Sequence, residues 1–337
     1  HKLKGKNLSL SLDRLMFNAN WTSKSDARRT MLVNTCTVEN KSRYVLGNNL
    51  NFDFTSDYMA LSKEFKRIGE YEKDTYKRRY QQYTLPEERI MDNPDITTPK
   101  KHLLVQQSYS IITHLEMIKP FLESVNNIYL YADNDNVLDI AITKVYKDLI
   151  NSNKLQACVV RKSKLKQGET QMDKGFEWIP QETPVIEGKY LDLKLLTDCD
   201  DYLLDNASIH GVDNFFNILR RRLSMVERPF KASQNSNDKK VIEDDLSTKD
   251  TKFQKWNLYG SYNPKYVSML IEMVRIFNNF ILTDEKSIKN KKGRKRIPKT
   301  PAQKLGLVDI TFDIHDILEF SVANIVLNYK NTEKKSA

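Results

Sequence analysis

The chain has 337 residues, 39% of them hydrophobic, which suits one large or two smaller packed domains and excludes a disordered protein. Its 54 Lys and Arg residues against 44 Asp and Glu give a formal net charge of +10, which favours a polyanionic partner, although a basic but otherwise ordinary protein has the same composition. The three cysteines form no CxxC pair and no apolar run approaches the ~18 residues of a membrane span, which argues against a zinc knuckle, a disulfide framework and a membrane protein.

The first fifty residues predict three antiparallel strands. Residues 8–13 read LSLSLD, a strict alternation of apolar and polar residues that predicts a strand, which we extend towards residue 21. Residues 29–39 are rich in β-branched side chains and predict a second strand. A turn at residues 40–41 then leads into a third strand over residues 42–51. Together they predict an antiparallel meander.

The middle of the chain alternates helices and strands. The predicted elements are a helix at 59–79 followed by a proline-broken loop, a helix at 101–124, a strand at 127–132, a helix at 137–151 and a strand at 155–161. Three meandering strands followed by two strands with crossover helices is the order of an RNase H-like mixed sheet, so we predict an α/β fold of that class with helical additions. The fold alone does not establish the chemistry.

The last third of the chain predicts two long helices, at 209–227 and 264–282, and one or two short elements within 302–326. The predicted domains are an RNase H-like catalytic domain at 1–230 with a helical and loop insertion at about 55–100, a flexible polar loop at 231–255, and a helical extension at 256–337 packed on the core.

One aspartate lies on the first predicted strand and another ends the fourth, and such a sheet places these two strands side by side. Asp13 closes the LSLSLD alternation, and Asp133 follows the apolar run NIYLYA. Open α/β sheets bind ligands at the carboxyl ends of their strands, where Asp133 lies. Mg²⁺ prefers carboxylate oxygens, so both residues are candidate metal ligands. Two alternatives remain: Asp13 is a solvent-facing strand end, and either Asp133 or Asp135 caps the following helix.

A third candidate carboxylate is Asp213, in the first turn of the helix at 209–227. Two-metal phosphoryl transfer needs several carboxylates at one place, and a late helix can supply the third. Alternatively, Asp213 only interacts favourably with the helix dipole. Glu227 is a rival, but it lies about four helical turns further along, roughly 20 Å away, so the two cannot serve one site.

Basic residues form two candidate DNA-binding groups. One group is the consecutive triplet Arg220, Arg221 and Arg222, and the other is the run Lys291, Lys292, Arg294, Lys295 and Arg296. Both suit contacts to DNA phosphates. Solvated surface positions, and for the triplet a salt bridge to Glu227, are the alternatives.

Four segments carry a resemblance to bacterial insertion-sequence transposases of the DDE type. They are SRYVLGNNLNFDF (42–54), NASIHGVDNFFNILRRRLSMVERP (206–229), WNLYGSYNPKYVSMLIEMVRIFNNF (256–280) and KTPAQKLGLVDITFDIHDILEF (299–320). The second and third segments are fairly specific, and KTPAQKLGL is a recurrent closing phrase in such transposases. With the strand before Asp133, these segments span nearly the whole chain.

The resemblance implies an enzyme that cuts DNA at transposon ends and joins the freed 3′-OH to target DNA. It implies Mg²⁺ or Mn²⁺, an RNase H-like catalytic domain, double-stranded DNA as partner, homo-oligomeric assembly on that DNA, and a location in the bacterial cytoplasm at the nucleoid. By position, Asp13, Asp133 and Asp213 are its three metal carboxylates, with His210 and Asn214 as close neighbours. The third carboxylate is often Glu in this family, and Asp is one methylene shorter. A catalytically decayed DNA-binding relative and another RNase H-like nuclease are the alternative functions.

Overall fold

A seven-stranded mixed sheet forms the centre of the computed structural model, which describes residues 2–19, 30–86, 103–162, 185–186, 191–226, 263–283 and 298–318. The strands are β1 (Asn7–Ala19), β2 (Thr30–Glu39), β3 (Val45–Leu50), β4 (Phe52–Asp53), β5 (Tyr83–Thr84), β6 (Leu103–Val105), β7 (Asn127–Asp133), β8 (Leu155–Lys162), β9 (Val185–Ile186) and β10 (Leu191–Leu195). The helices are α1 (Tyr58–Arg67), α2 (Gln107–Leu122), α3 (Asn136–Val145), α4 (Lys147–Asn151), α5 (Asp201–Asp205), α6 (His210–Arg222), α7 (Pro264–Phe280), α8 (Pro301–Lys304) and α9 (Ile314–Leu318).

The strand order of the large sheet is β3-β2-β1-β7-β8-β10-β9. The β1–β2, β2–β3 and β8–β10 pairs are antiparallel, whereas β1–β7 and β7–β8 are parallel. Helix α2 precedes β7. Parallel neighbouring strands need a crossover connection, and α3 and α4 supply it between β7 and β8. This mixed α/β architecture is compatible with an RNase H-like fold, as the sequence predicts.

The alternation in β1 follows from the different packing on its two faces. Leu8, Leu10 and Leu12 are buried among apolar residues of α2 and α3 on one face of the sheet. Because successive side chains of a strand point to opposite faces, Ser11 and Asp13 lie on the other face, which α6 and α7 cover. The polar positions of the LSLSLD pattern therefore face a second packed layer and not open solvent.

The predicted helix at 59–79 is wrong in its second half, since α1 occupies only the first part of it. Gly69 adopts a left-handed φ of 64°, a conformation that ends α-helices. The buried Glu70 carboxylate then accepts backbone hydrogen bonds from Arg79 and Tyr80 and holds the following segment in short 3-10 turns.

Two other predicted helices also differ from the structure. The helix expected at 101–124 is preceded by β6, which pairs with β4 and β5 in a small sheet, and the helix proper is α2. The helix expected at 137–151 is interrupted at Tyr146 and forms α3 and α4. The predicted loop at 231–255 lies outside the described residues, and the domain division stays a prediction. Among the described helices, none combines the length and apolar character needed to cross a bilayer.

A side chain of α7 hydrogen-bonds to the free backbone edge of β3 at Val45. The backbone N–H of Val45 donates to Asn279 Oδ1 at 2.9 Å, and Asn279 Nδ2 donates to the Val45 carbonyl at 2.9 Å. Arg275 of α7 also donates to that carbonyl at 3.3 Å. Asn279 is fully buried and acts as a substitute for a neighbouring strand at this position.

We therefore expect Asn279→Ala to destabilise the fold. The substitution leaves the buried N–H of Val45 without its acceptor, which lowers the free energy of unfolding by about 2–3 kcal/mol. Urea denaturation measures the change. Asn217→Ala, at an exposed position of α6, is the matched control and should change stability by less than ~0.5 kcal/mol. Equal effects of the two substitutions would contradict this role.

Candidate active site

Asp13 and Asp133 lie at neighbouring positions of two parallel strands. The parallel register of β1 and β7 ends with Leu12 opposite Ala132, and each aspartate is the next residue of its strand. Leu12 and Ala132 are buried on the face covered by α2 and α3, so the two aspartates point to the opposite face. Adjacent strands are about 4.8 Å apart, which places the carboxylates on the same face and in the same row.

Asp213 reaches the same face from the first turn of α6. The Val212 N–H donates to Ser11 Oγ at 2.9 Å, and Ser11 Oγ in turn donates to the Val38 carbonyl at 3.3 Å. Ser11 precedes Asp13 by two residues on the same strand face. This hydrogen bond therefore fixes the turn that carries Asp213 against the strand that carries Asp13.

A second anchor of α6 is Asn40, in the turn between β2 and β3. Its Oδ1 accepts the Gly211 N–H at 3.2 Å, and its Nδ2 donates to the Ser208 carbonyl at 3.0 Å. A Cβ on Gly211 would lie 2.4 Å from Asn40 Oδ1 and 2.6 Å from Ser11 Oγ. The approach of α6 to the sheet therefore requires glycine at position 211.

Sequence reasoning missed Ser11, Asn40 and Gly211 as positioning residues. One signal was available: Ser11 occupies a polar position between Leu10 and Leu12, which belong to the apolar part of the other face of β1. Its partner, Val212, is 201 residues away in the chain, so no local pattern could connect them.

Burial and neighbouring negative charge raise the pKa of Asp13 to about 7 from its ordinary value of 3.8. Burial has the largest effect, followed by the charge of Asp133, with a further contribution from Asp213. Two effects of Arg14 lower the pKa of Asp13 and partly offset this rise. The Arg14 backbone N–H donates a hydrogen bond to Asp13 Oδ1 at 2.6 Å, and the Arg14 side chain carries a positive charge. The three predicted carboxylates are thus close enough for their charges to interact.

The chemistry of these side chains suits a hard divalent cation. Carboxylate oxygens are the ligands that Mg²⁺ and Mn²⁺ prefer, and a cation would offset the negative charge that raises the pKa of Asp13. In the part of the chain that the structure describes, however, no group of three or more His, Cys, Asp or Glu side chains has the arrangement of a metal site. The metal therefore remains a proposal.

The structure separates the two aspartates that follow β7. Asp135 is the N-cap of α3, since its Oδ1 accepts the Val137 N–H at 2.9 Å, whereas Asp133 ends the strand. Among the predicted neighbours, His210 begins α6 with an exposed side chain, and Asn214 is half-buried one residue after Asp213. The role of each of these neighbours stays a prediction.

The arginine triplet occupies the C-terminal end of α6. Arg221 and Arg222 are exposed, and the Arg222 guanidinium lies 5.3 Å from the centre of the Phe277 ring of α7. Arg220 is half-buried. The second predicted basic group, which consists of Lys291, Lys292, Arg294, Lys295 and Arg296, lies outside the described residues. Glu227 also lies outside them. Phosphate contact by either group stays a prediction.

No known protein family and no curated protein matches the chain. Among solved structures, a piggyBac transposase synaptic complex with hairpin DNA matches with 11% sequence identity and a TM-score of 0.28. The match covers 80% of this chain and 45% of the other, so the chain spans less than half the length of that transposase. A likeness at this score carries no argument about function, and the resemblance to bacterial insertion-sequence transposases stays a prediction.

Gly211→Ala should destabilise the protein because the new methyl group would collide with Ser11 and Asn40. We expect a loss of about 1–3 kcal/mol in urea denaturation. Asn40→Ala removes the nearer of the two colliding atoms, so the double variant should be less destabilised than the sum of the single variants by about 0.5 kcal/mol or more. Strict additivity would show that the two residues are not in contact.

Asp13→Asn should stabilise the metal-free protein at high pH. A carboxyl group with a raised folded pKa binds more protons in the folded state, so its stabilising effect is present below about pH 4 and is lost as the pH rises through 7. We expect the variant to exceed wild type by about 1–3 kcal/mol at pH 8 in the presence of a chelator, and to match it near pH 4. Asp205→Asn, at an exposed position, should show no such pH dependence. A constant difference between Asp13→Asn and wild type at all pH values would contradict the raised pKa.

Proposed function

We propose that this chain is a metal-dependent DNA phosphoryl transferase, and that its reaction is the cleavage and strand transfer of a transposase. The observation that carries the proposal is the placement of Asp13, Asp133 and Asp213, which come from β1, β7 and α6, with the charges of Asp133 and Asp213 both acting on Asp13. The sheet supports it, because an antiparallel β3-β2-β1 unit joined to parallel β7 and β8 is the strand order expected of an RNase H-like fold.

Each carboxylate has a distinct place in the proposed reaction. Asp13 and Asp133 approach the reacting phosphate from the sheet, and Asp213 approaches it from the helix that covers this face. Mg²⁺ or Mn²⁺ bound to them would activate the attacking oxygen, first of water and then of the 3′-OH, and stabilise the leaving oxygen. Because Asp13 is largely buried, its contribution to charge stabilisation is screened less by water than that of a surface carboxylate.

The remainder of α6 provides a path for the DNA backbone. Arg221 and Arg222 follow Asp213 on the same helix by roughly 12–14 Å along its axis. This distance corresponds to about four base-pair rises of a DNA strand. An exposed basic end at that spacing suits contacts to phosphates that flank the reacting one, and the net charge of +10 suits binding to DNA in general.

The direct test is the nicking of supercoiled plasmid in Mg²⁺ or Mn²⁺. We expect the wild type to nick the plasmid, and Asp13→Asn, Asp133→Asn and Asp213→Asn each to reduce the rate ~100-fold or more while remaining folded by circular dichroism. Asp205→Asn, which alters an exposed carboxylate of α5, is the matched control and should retain the wild-type rate. A wild-type rate for Asp133→Asn would remove Asp133 from the site.

Two further outcomes separate this proposal from its alternatives. Joining of a labelled oligonucleotide 3′ end to the plasmid distinguishes a transposase from a nuclease that only hydrolyses. Wild-type protein that binds DNA but shows no metal-dependent cleavage identifies a decayed DNA-binding relative. One observation favours the decayed relative: among the described residues, no three or more His, Cys, Asp or Glu side chains are arranged to bind a metal ion.

A further inference from the structure

The guanidinium of Arg14 joins three elements next to the carboxylate cluster. Arg14 follows Asp13 in β1 and therefore points to the opposite face of the sheet. Its Nη1 donates to Gln107 Oε1 at 2.6 Å, at the first residue of α2. Its Nη2 forms an ion pair with the Asp135 carboxylate, the N-cap of α3. One cation thus ties the starts of two helices to the strand that carries Asp13.

The ion pair between Arg14 and Asp135 is shielded from water. The side chains are 12% and 20% exposed, respectively. A pair at this depth is screened less by water and salt than a surface pair, and its geometry is constrained by the further bonds that each partner makes. Here Arg14 also binds Gln107, and Asp135 also accepts the Val137 N–H.

This arrangement constrains the turn after β7. Asp133 is held at one end by its parallel pairing opposite Val160 of β8. Two residues later, Asp135 is held by Arg14 and by its capping bond to α3. The backbone that carries the Asp133 carboxylate is therefore fixed on both sides, and Arg14 provides one of these fixed points.

Arg14 also acts on Asp13 through its own backbone. The Arg14 N–H donates to Asp13 Oδ1 at 2.6 Å and orients that carboxylate. The same residue thus contacts Asp13 with its main chain and, through Asp135, the turn of Asp133 with its side chain. A lysine would keep the positive charge but could not bind Gln107 and Asp135 at once with a planar fork of donors.

We propose that Arg14 is a positioning residue that sets the separation and orientation of Asp13 and Asp133 for metal binding and phosphoryl transfer. In this role it acts through its backbone hydrogen bond to Asp13 and, by way of Asp135, through the β7–α3 turn, and not by contact with the reacting atoms. The inference rests on the proposed function of the three carboxylates.

The test compares Arg14→Lys and Asp135→Asn with wild type in two measurements. Isothermal titration with Mn²⁺ reports the metal affinity of the free protein, independently of catalysis. Plasmid nicking reports kcat and KM separately. Asp135→Asn keeps a good N-cap but removes the ion pair, so it remains informative if Arg14→Lys fails to fold. Arg67→Lys is the matched control, because Arg67 is an exposed arginine paired with Glu64 in α1.

We expect both variants to bind Mn²⁺ about 10–100-fold more weakly than wild type and to lose kcat while KM for the plasmid stays unchanged, with Arg67→Lys unaffected. Wild-type Mn²⁺ affinity in folded Arg14→Lys and Asp135→Asn would overturn the positioning role and leave the proposed function intact. A wild-type protein that neither binds Mn²⁺ nor nicks the plasmid would instead overturn the proposed function and this inference with it.

Discussion

The repulsion that Asp133 and Asp213 exert on the largely buried Asp13 is the constraint on which this site depends. Asp13, Asp133 and Asp213 come from three different elements, and burial and like charge raise the pKa of Asp13 to about 7. Such a cluster opposes folding unless a proton or a cation compensates it, because a buried negative charge is poorly solvated. The surrounding structure must therefore hold the three side chains in place against their own electrostatic preference.

Neutral hydrogen bonds, together with the positive charge of Arg14 on the far face of the sheet, hold the elements that carry these side chains. Ser11 and Asn40 accept hydrogen bonds from the backbone N–H groups at the start of α6 and hold the turn that carries Asp213 against the sheet. Gly211 permits that close approach. Arg14 lies on the other face, where it ties the start of α3 to β1.

The sequence predicts the parts of the site that depend on local pattern. The alternation in β1 and the apolar run of β7 identify Asp13 and Asp133 as candidate carboxylates. Asp133 ends β7, whereas β1 continues past Asp13 to Ala19, and the charge of Asp133 acts on Asp13 just beyond the last paired residues of the two strands. The early end of α1 depends on the buried Glu70, and β6 depends on pairing with strands that are remote in the chain. Long-range hydrogen bonds such as that between Ser11 and Val212 leave no local signal, so the positioning residues emerge only from the fold.

The most direct measurement of the central claim is anomalous diffraction from crystals of this protein soaked in Mn²⁺. We predict two manganese peaks about 3.5–4 Å apart, with oxygens of Asp13, Asp133 and Asp213 as their ligands. The absence of a manganese peak beside Asp13 would contradict this prediction, whether or not the crystals bind Mn²⁺ elsewhere.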